Sequence, residues 1–291
     1  MITWLTEPFT FGFMQKALIS SVIVGVVCAV IGCYIVLRSM AFLGDALAHA
    51  ILPGVAVAYL LGVNLLAGAL VAAVLVAVGI SYVSRAGTLK EDTAIGIFFA
   101  AALALGVVLI STLHTYAVDL THVLFGNVLG VTAVDLWVTG LLGLGVLVAI
   151  LLLYKQLLVV SFDPIHGRTL GLHIHALRTG LFLMLAATIV VALQTVGVAL
   201  VAAMLVTPPA TAYLLTRRLP AMMALSALLG AIPAIGGLYA SYYLGVSTSG
   251  AMVLVATFIF VIAFLFAPGK GVVWRGRHRV GATRHGGESS V

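Results

Sequence analysis

Residues 39–62 read SMAFLGDALAHAILPGVAVAYLLG, an apolar run that nevertheless carries an acid, Asp45, and a histidine, His49. About 20 such residues suffice for a helix to cross a bilayer. On a helix, residues four apart stack one turn apart on one face. An ionisable side chain in hydrocarbon costs at least about 2.5 kcal/mol, so it faces a bundle interior or a water-filled path. Carboxylate and imidazole together suit manganese, iron or zinc, whereas thiolate-rich sites bind softer ions. Taken singly, Asp45 reads as a helix cap and His49 as a histidine satisfied within the bundle. Paired on one face, they read as a metal route through the membrane. Two ligands are too few for a site. A second copy about a twofold axis would supply four, which predicts a homodimer with the path on that axis.

The rest of the chain has the composition of a scaffold in lipid. Of 291 residues, 63% are hydrophobic and 8% charged, with a mean hydropathy of +1.28. A soluble domain carries about 25% charged residues, so an all-α, polytopic membrane helical bundle is predicted. Spans are expected at residues 17–37, 41–62, 65–84, 94–112, 134–154, 180–193, 197–215, 221–240 and 247–267. The short sixth run and the polar Gln194-Thr195 pair beside it leave the number at eight or nine transmembrane helices. Pro53-Gly54 predicts a kink in the second span, and Pro208-Pro209 a break in the seventh. Residues 1–16 read as an interfacial segment rich in aromatics, 17–269 as the transmembrane domain, and 270–291 as a basic, flexible tail.

The net charge of +6 is a topology signal and predicts no nucleic-acid partner. With the loop after Arg85 in the cytoplasm and the spans alternating, thirteen Lys and Arg fall inside. Only Lys16 falls outside, so the C-terminus is expected in the cytoplasm. Cys28 and Cys33 lie in the first span at no metal-finger spacing and read as small hydrophobes.

Two further stretches stand out. Asp119 and His122, spaced i, i+3 in a polar segment on the outer side, read either as a gate for a cation or as a solvated helix end. Asp135 reads as a helix-start residue. His114 has no partner that spacing identifies. Residues 156–179 form a cytoplasmic insertion in which Asp163-Pro164 predicts a helix start, with Asp as cap and Pro at the first position. Gly171 is the matching stop. A short membrane-parallel helix there would offer a docking knob to a soluble partner. His166, His173 and His175 in the same insertion read as solvated surface histidines.

Enzyme signatures are absent from the sequence. There is no G-x-x-x-x-G-K-[ST], no H-E-x-x-H and no G-x-S-x-G; energy for active transport must come from another chain or from an ion gradient. A proton-coupled secondary transporter, with Asp45 and His49 as relay, is the rival reading.

Several stretches are similar to the membrane permeases of bacterial ABC importers for manganese and zinc, of the ABC-3 type. They are GDALAHAILPGVAVAYLLG (44–62), KEDTAIGIFFAAALALGVVLIS (90–111), DLTHVLFGNVLGV (119–131), DPIHGRTLGL (163–172) and LQTVGVALVAAMLVTPPATAYLL (193–215). The resemblance implies a homodimeric, all-helical permease of the bacterial cytoplasmic membrane. It also implies ATP-binding cassette subunits beneath it and an extracytoplasmic metal-binding protein above. It places Asp45 and His49 on the translocation path. Asp163, Pro164, Gly167, Gly171 and Leu172 fall in the element that couples to the ATPase. No bound cofactor is implied; Mn²⁺ or Zn²⁺ is cargo. The L-P-G-V-A and K-E-D-T-A wording is closer to the manganese-type members. His122 and the basic tail depart from the family pattern.

Overall fold

The computed structural model describes residues 7–85, 90–112, 126 and 128–267. Among them the chain is helical throughout. After a 3-10 turn at Glu7–Thr10 come α1 (Gly12–Leu37), α2 (Phe42–Ala50), α3 (Leu52–Leu60), α4 (Leu65–Arg85), α5 (Glu91–Ser111) and α6 (Ala133–Leu152). Then follow α7 (Tyr154–Phe162), α8 (Pro164–Thr169), α9 (Ile174–Val196), α10 (Val198–Leu215), α11 (Leu219–Leu244) and α12 (Thr248–Phe266). Nine segments of the described chain are long and apolar enough to cross a bilayer, with α2 and α3 together forming one of them. The helices correspond one for one to the nine runs read from the sequence.

The bundle is built around α1, which packs against α6, α9, α10 and α11. Burial is heaviest along it: Ala17, Cys28, Ile31, Cys33 and Tyr34 have no exposed surface. Both cysteines are free thiols in this core, as small hydrophobes would be. Ser226 donates across the helix pair to the Ala29 carbonyl at 2.9 Å, a polar tie suited to an apolar surround. Peripheral spans α4, α5 and α12 keep apolar faces exposed, as lipid-facing helices do.

α2 and α3 are one span broken at Ile51. Pro53 lies in the first turn of α3, where its missing N–H costs nothing, so the kink falls just ahead of the proline. Gly54 and Gly68 place α3 and α4 in backbone contact, since a Cβ on either would overlap the other's carbonyl. A larger residue there would force the helices apart.

The other proline expectation fails. α10 runs unbroken through Pro208 and Pro209. Proline 209 frees the Leu205 carbonyl. That oxygen lies so close to Gly32 of α1 that a Cβ there would overlap it. Close neighbouring helices let a membrane helix tolerate interior proline.

The sixth span is also longer than its apolar run suggests. α9 starts at Ile174, six residues before the expected start, and takes in Arg178 and Thr179. Ser81 and Thr179 hydroxyls meet at 2.5 Å, and Arg178 Nη1 lies 3.4 Å from Ser84 Oγ. With its polar groups met by α4, the helix continues through them. At its other end the break falls at Gly197, two residues past the predicted turn. Gly197 has φ +84° and ψ 163°, a region that is essentially glycine-only. The Val196 carbonyl at this junction accepts from Ser249 Oγ at 3.0 Å. Gly197→Ala is therefore expected to destabilise the fold by about 1–3 kcal/mol, read as a lower melting temperature in detergent; an unchanged melt would refute the strain.

Candidate metal path and docking element

α2 presents a single polar stripe. Leu43, Gly44, Ala46, Leu47, Ala48 and Ala50 are buried, packed chiefly against α5 and α10. That leaves Phe42, Asp45 and His49 along one side. His49 Nε2 and Asp45 Oδ1 lie 3.6 Å apart, with side chains 26% and 41% exposed. This is too long for a hydrogen bond. A cation can sit between them with bonds of about 2.1 Å to each. The His49 ring is held edge-on by Phe99 of α5 at 5.8 Å, and Phe99 in turn meets Phe42 at 5.3 Å. Edge-to-face packing fixes the imidazole plane without using either ring nitrogen.

Among the described residues, no group of three or more His, Cys, Asp or Glu side chains is placed to hold a metal. Asp45 and His49 thus stand as a pair on an open face, with no third side chain of these types grouped with them among the described residues. Further along the same helices, Pro53, Val57, Leu105 and Leu109 help line an apolar groove of about 420 Å³ between α3, α4 and α5. His166, His173 and His175 do not converge on a metal-holding group. Asp119, His122, His114 and the basic tail lie outside the described residues.

The predicted helix start at Asp163-Pro164 is present. Asp163 Oδ1 accepts from the Ile165 and His166 backbone N–H groups at 3.0 and 2.9 Å. Pro164 takes the first position of α8. Gly171, at φ +74°, ends the turn after it. Gly167 of α8 packs beside Ile174 at the head of α9: a Cβ there would lie 3.1 Å from Ile174 Cδ1. Phe162, Ile165 and Leu170 are left exposed around α8, an apolar knob on a polar element. Asp135 likewise starts its helix, in a capping box with Thr132.

Sequence reasoning missed one cluster. Glu91, the first residue of α5, lies 3.5 Å from both Arg38 and Arg178, Oε2 to Nη2 and Oε1 to Nε respectively. The Arg38 side chain is only 7% exposed. Burial draws its guanidinium below the ordinary range, opposed by Glu91 and reinforced by Arg178. Arg38 caps α1 and leads into the turn before α2. There Ser39 adopts φ +57°, and the Ser39 and Met40 N–H groups donate to Val36 and Ile35 carbonyls. That is a Schellman closure with serine in the position glycine usually takes. The only sequence signal was an acid beside an apolar run, which reads equally well as a solvated helix start.

Residues 10–267 match the ABC 3 transport family. The chain is 49% identical over 274 residues to the manganese transport system membrane protein MntC of Halalkalibacterium halodurans, covering 93% of this chain and 94% of that one. It is 37% identical over 270 residues to the chelated iron transport system membrane protein YfeD of Yersinia pestis, covering 91% and 89%. Among solved structures, PsaBC from Streptococcus pneumoniae in complex with Fab superposes with a TM-score of 0.83 at 39% identity, over 95% of this chain and 100% of the matched chain.

Proposed function

This chain belongs to the ABC 3 transport family, and from that membership we propose that it is the permease subunit of an ATP-driven importer of a divalent transition metal, manganese before zinc. The observation that carries the reading is the Asp45–His49 stripe: two metal-ligating side chains, 3.6 Å apart, on the one side of α2 that the bundle leaves open. In a lone subunit this stripe would meet lipid, which refuses such groups. A second copy facing it about a twofold axis completes a four-ligand shell and covers the polar face. The relative named for manganese transport supports that ion, and the iron relative supports a transition metal more broadly.

ATP is hydrolysed by separate cassette subunits docked on α8 in the cytoplasm, with the C-terminus on the same side. Thirteen inward basic residues against one support that orientation. An extracytoplasmic binding protein delivers the ion, and Asp119 with His122 forms the outer gate. A proton-driven mechanism finds no support among the relatives.

The test is reconstitution of the full complex in proteoliposomes with manganese and zinc in competition. ATP-dependent manganese uptake that zinc only partly suppresses is expected. Uptake by the permease alone under a pH gradient, with no ATP requirement, would overturn the reading.

A further inference from the structure

We propose that Glu91 is the positioning residue through which movement of α8 reaches the Asp45–His49 pair. The inference rests on α8 being the ATPase-docking element. The contacts form a continuous chain. α8 seats against Ile174 through Gly167, and Arg178 lies one turn beyond Ile174 on the same helix. Arg178 faces Glu91, and Glu91 faces Arg38. From Arg38 the backbone passes through the tight Ser39 turn directly into α2. From Glu91 the same α5 carries Phe99, which packs on the His49 ring. Glu91 therefore touches both routes to the metal pair, by backbone through Arg38 and by side chain through Phe99.

The cluster is also built to change. Two guanidinium groups share one carboxylate, an excess of positive charge at a largely buried site. Glu91 Oε1 and Arg178 Nε are fully enclosed, yet they make no hydrogen bond among the described residues, their 3.5 Å separation being an ion pair only. A half-satisfied buried network has a better arrangement within reach. A shift of α9 by a fraction of an ångström closes or opens the Arg178 limb, while Arg38 holds Glu91 in either position. Two-position packing of this kind is how small displacements at one site become discrete changes at another.

The test uses the complete reconstituted transporter, measuring metal uptake and ATP hydrolysis together. Glu91→Gln keeps the shape and removes the charge. Uptake per ATP hydrolysed is expected to fall about tenfold, within the usual range of intersite coupling. The hydrolysis rate and the metal concentration for half-maximal uptake should stay near those of the unaltered transporter. Arg178→Gln should reproduce this defect and Arg178→Lys should largely restore coupling, an outcome a packing role alone would not give. Unchanged uptake per ATP in Glu91→Gln overturns the proposal, as does a parallel fall of uptake and hydrolysis. If Glu91→Gln does not assemble, Arg178→Gln decides alone, because it leaves the Arg38–Glu91 pair intact. If the unaltered complex shows no ATP-driven uptake, it is the importer reading that fails.

Discussion

Metal uptake by the reconstituted transporter should fall about a hundredfold when Asp45 is changed to Asn or His49 to Ala, with assembly intact. Removing one charge-assisted contact costs about 1.5–3 kcal/mol, and every 1.4 kcal/mol is a factor of ten. In the proposed dimer each substitution removes two contacts, and even the smaller cost counted twice comes to about 3 kcal/mol, on the order of a hundredfold. Assembly should survive because the core does not use these side chains. The six buried residues of α2 hold it against its neighbours, whereas Asp45 and His49 stand on its open side. His49→Ala also forfeits the edge contact with Phe99, worth about 0.5–1.5 kcal/mol. Phe99→Leu separates the two effects, since it removes the ring but leaves the imidazole. It should weaken uptake far less than His49→Ala. Uptake near the original level in both Asp45→Asn and His49→Ala would remove the central claim.

The second large effect is expected at the opposite end of the machinery. Ile165→Asp should abolish co-purification of the ATP-binding subunits and ATP-driven uptake with it, while the isolated permease keeps its melting temperature. Ile165 is 76% exposed at the start of α8, and a central anchor seated in a partner's pocket contributes about 2 kcal/mol or more. Placing a charge there adds the cost of desolvating it. Asp163→Ala should act more mildly, by about 1 kcal/mol, because it frays the helix without altering the knob. An Ile165→Asp complex that assembles and hydrolyses ATP as before would place the docking surface elsewhere.

How much of this was legible in the linear chain depended on how local the deciding interactions are. The start of α8 could be read because Asp163 bonds the N–H groups two and three residues on. The capping box at Thr132 and Asp135 closes within four residues. The shared face of Asp45 and His49 follows from helical periodicity alone. The Pro208-Pro209 break and the late start of the sixth span were misread for the opposite reason. Gly32 lies far from Leu205 in sequence, and Ser84 far from Arg178, so nothing nearby announced that α1 would accommodate the proline-freed carbonyl or that α4 would meet the arginine.

The sequence by itself therefore determined that this is a bundle of membrane helices, and which two ionisable groups share a helical face inside it. Hydropathy and periodicity act over one or two turns. Only the tertiary structure decided that this face is the open side of α2, that Phe99 sets the histidine ring, and that Glu91 stands between two arginines from other helices. Those arrangements depend on surfaces brought together by packing, and such proximity is invisible until the chain has folded.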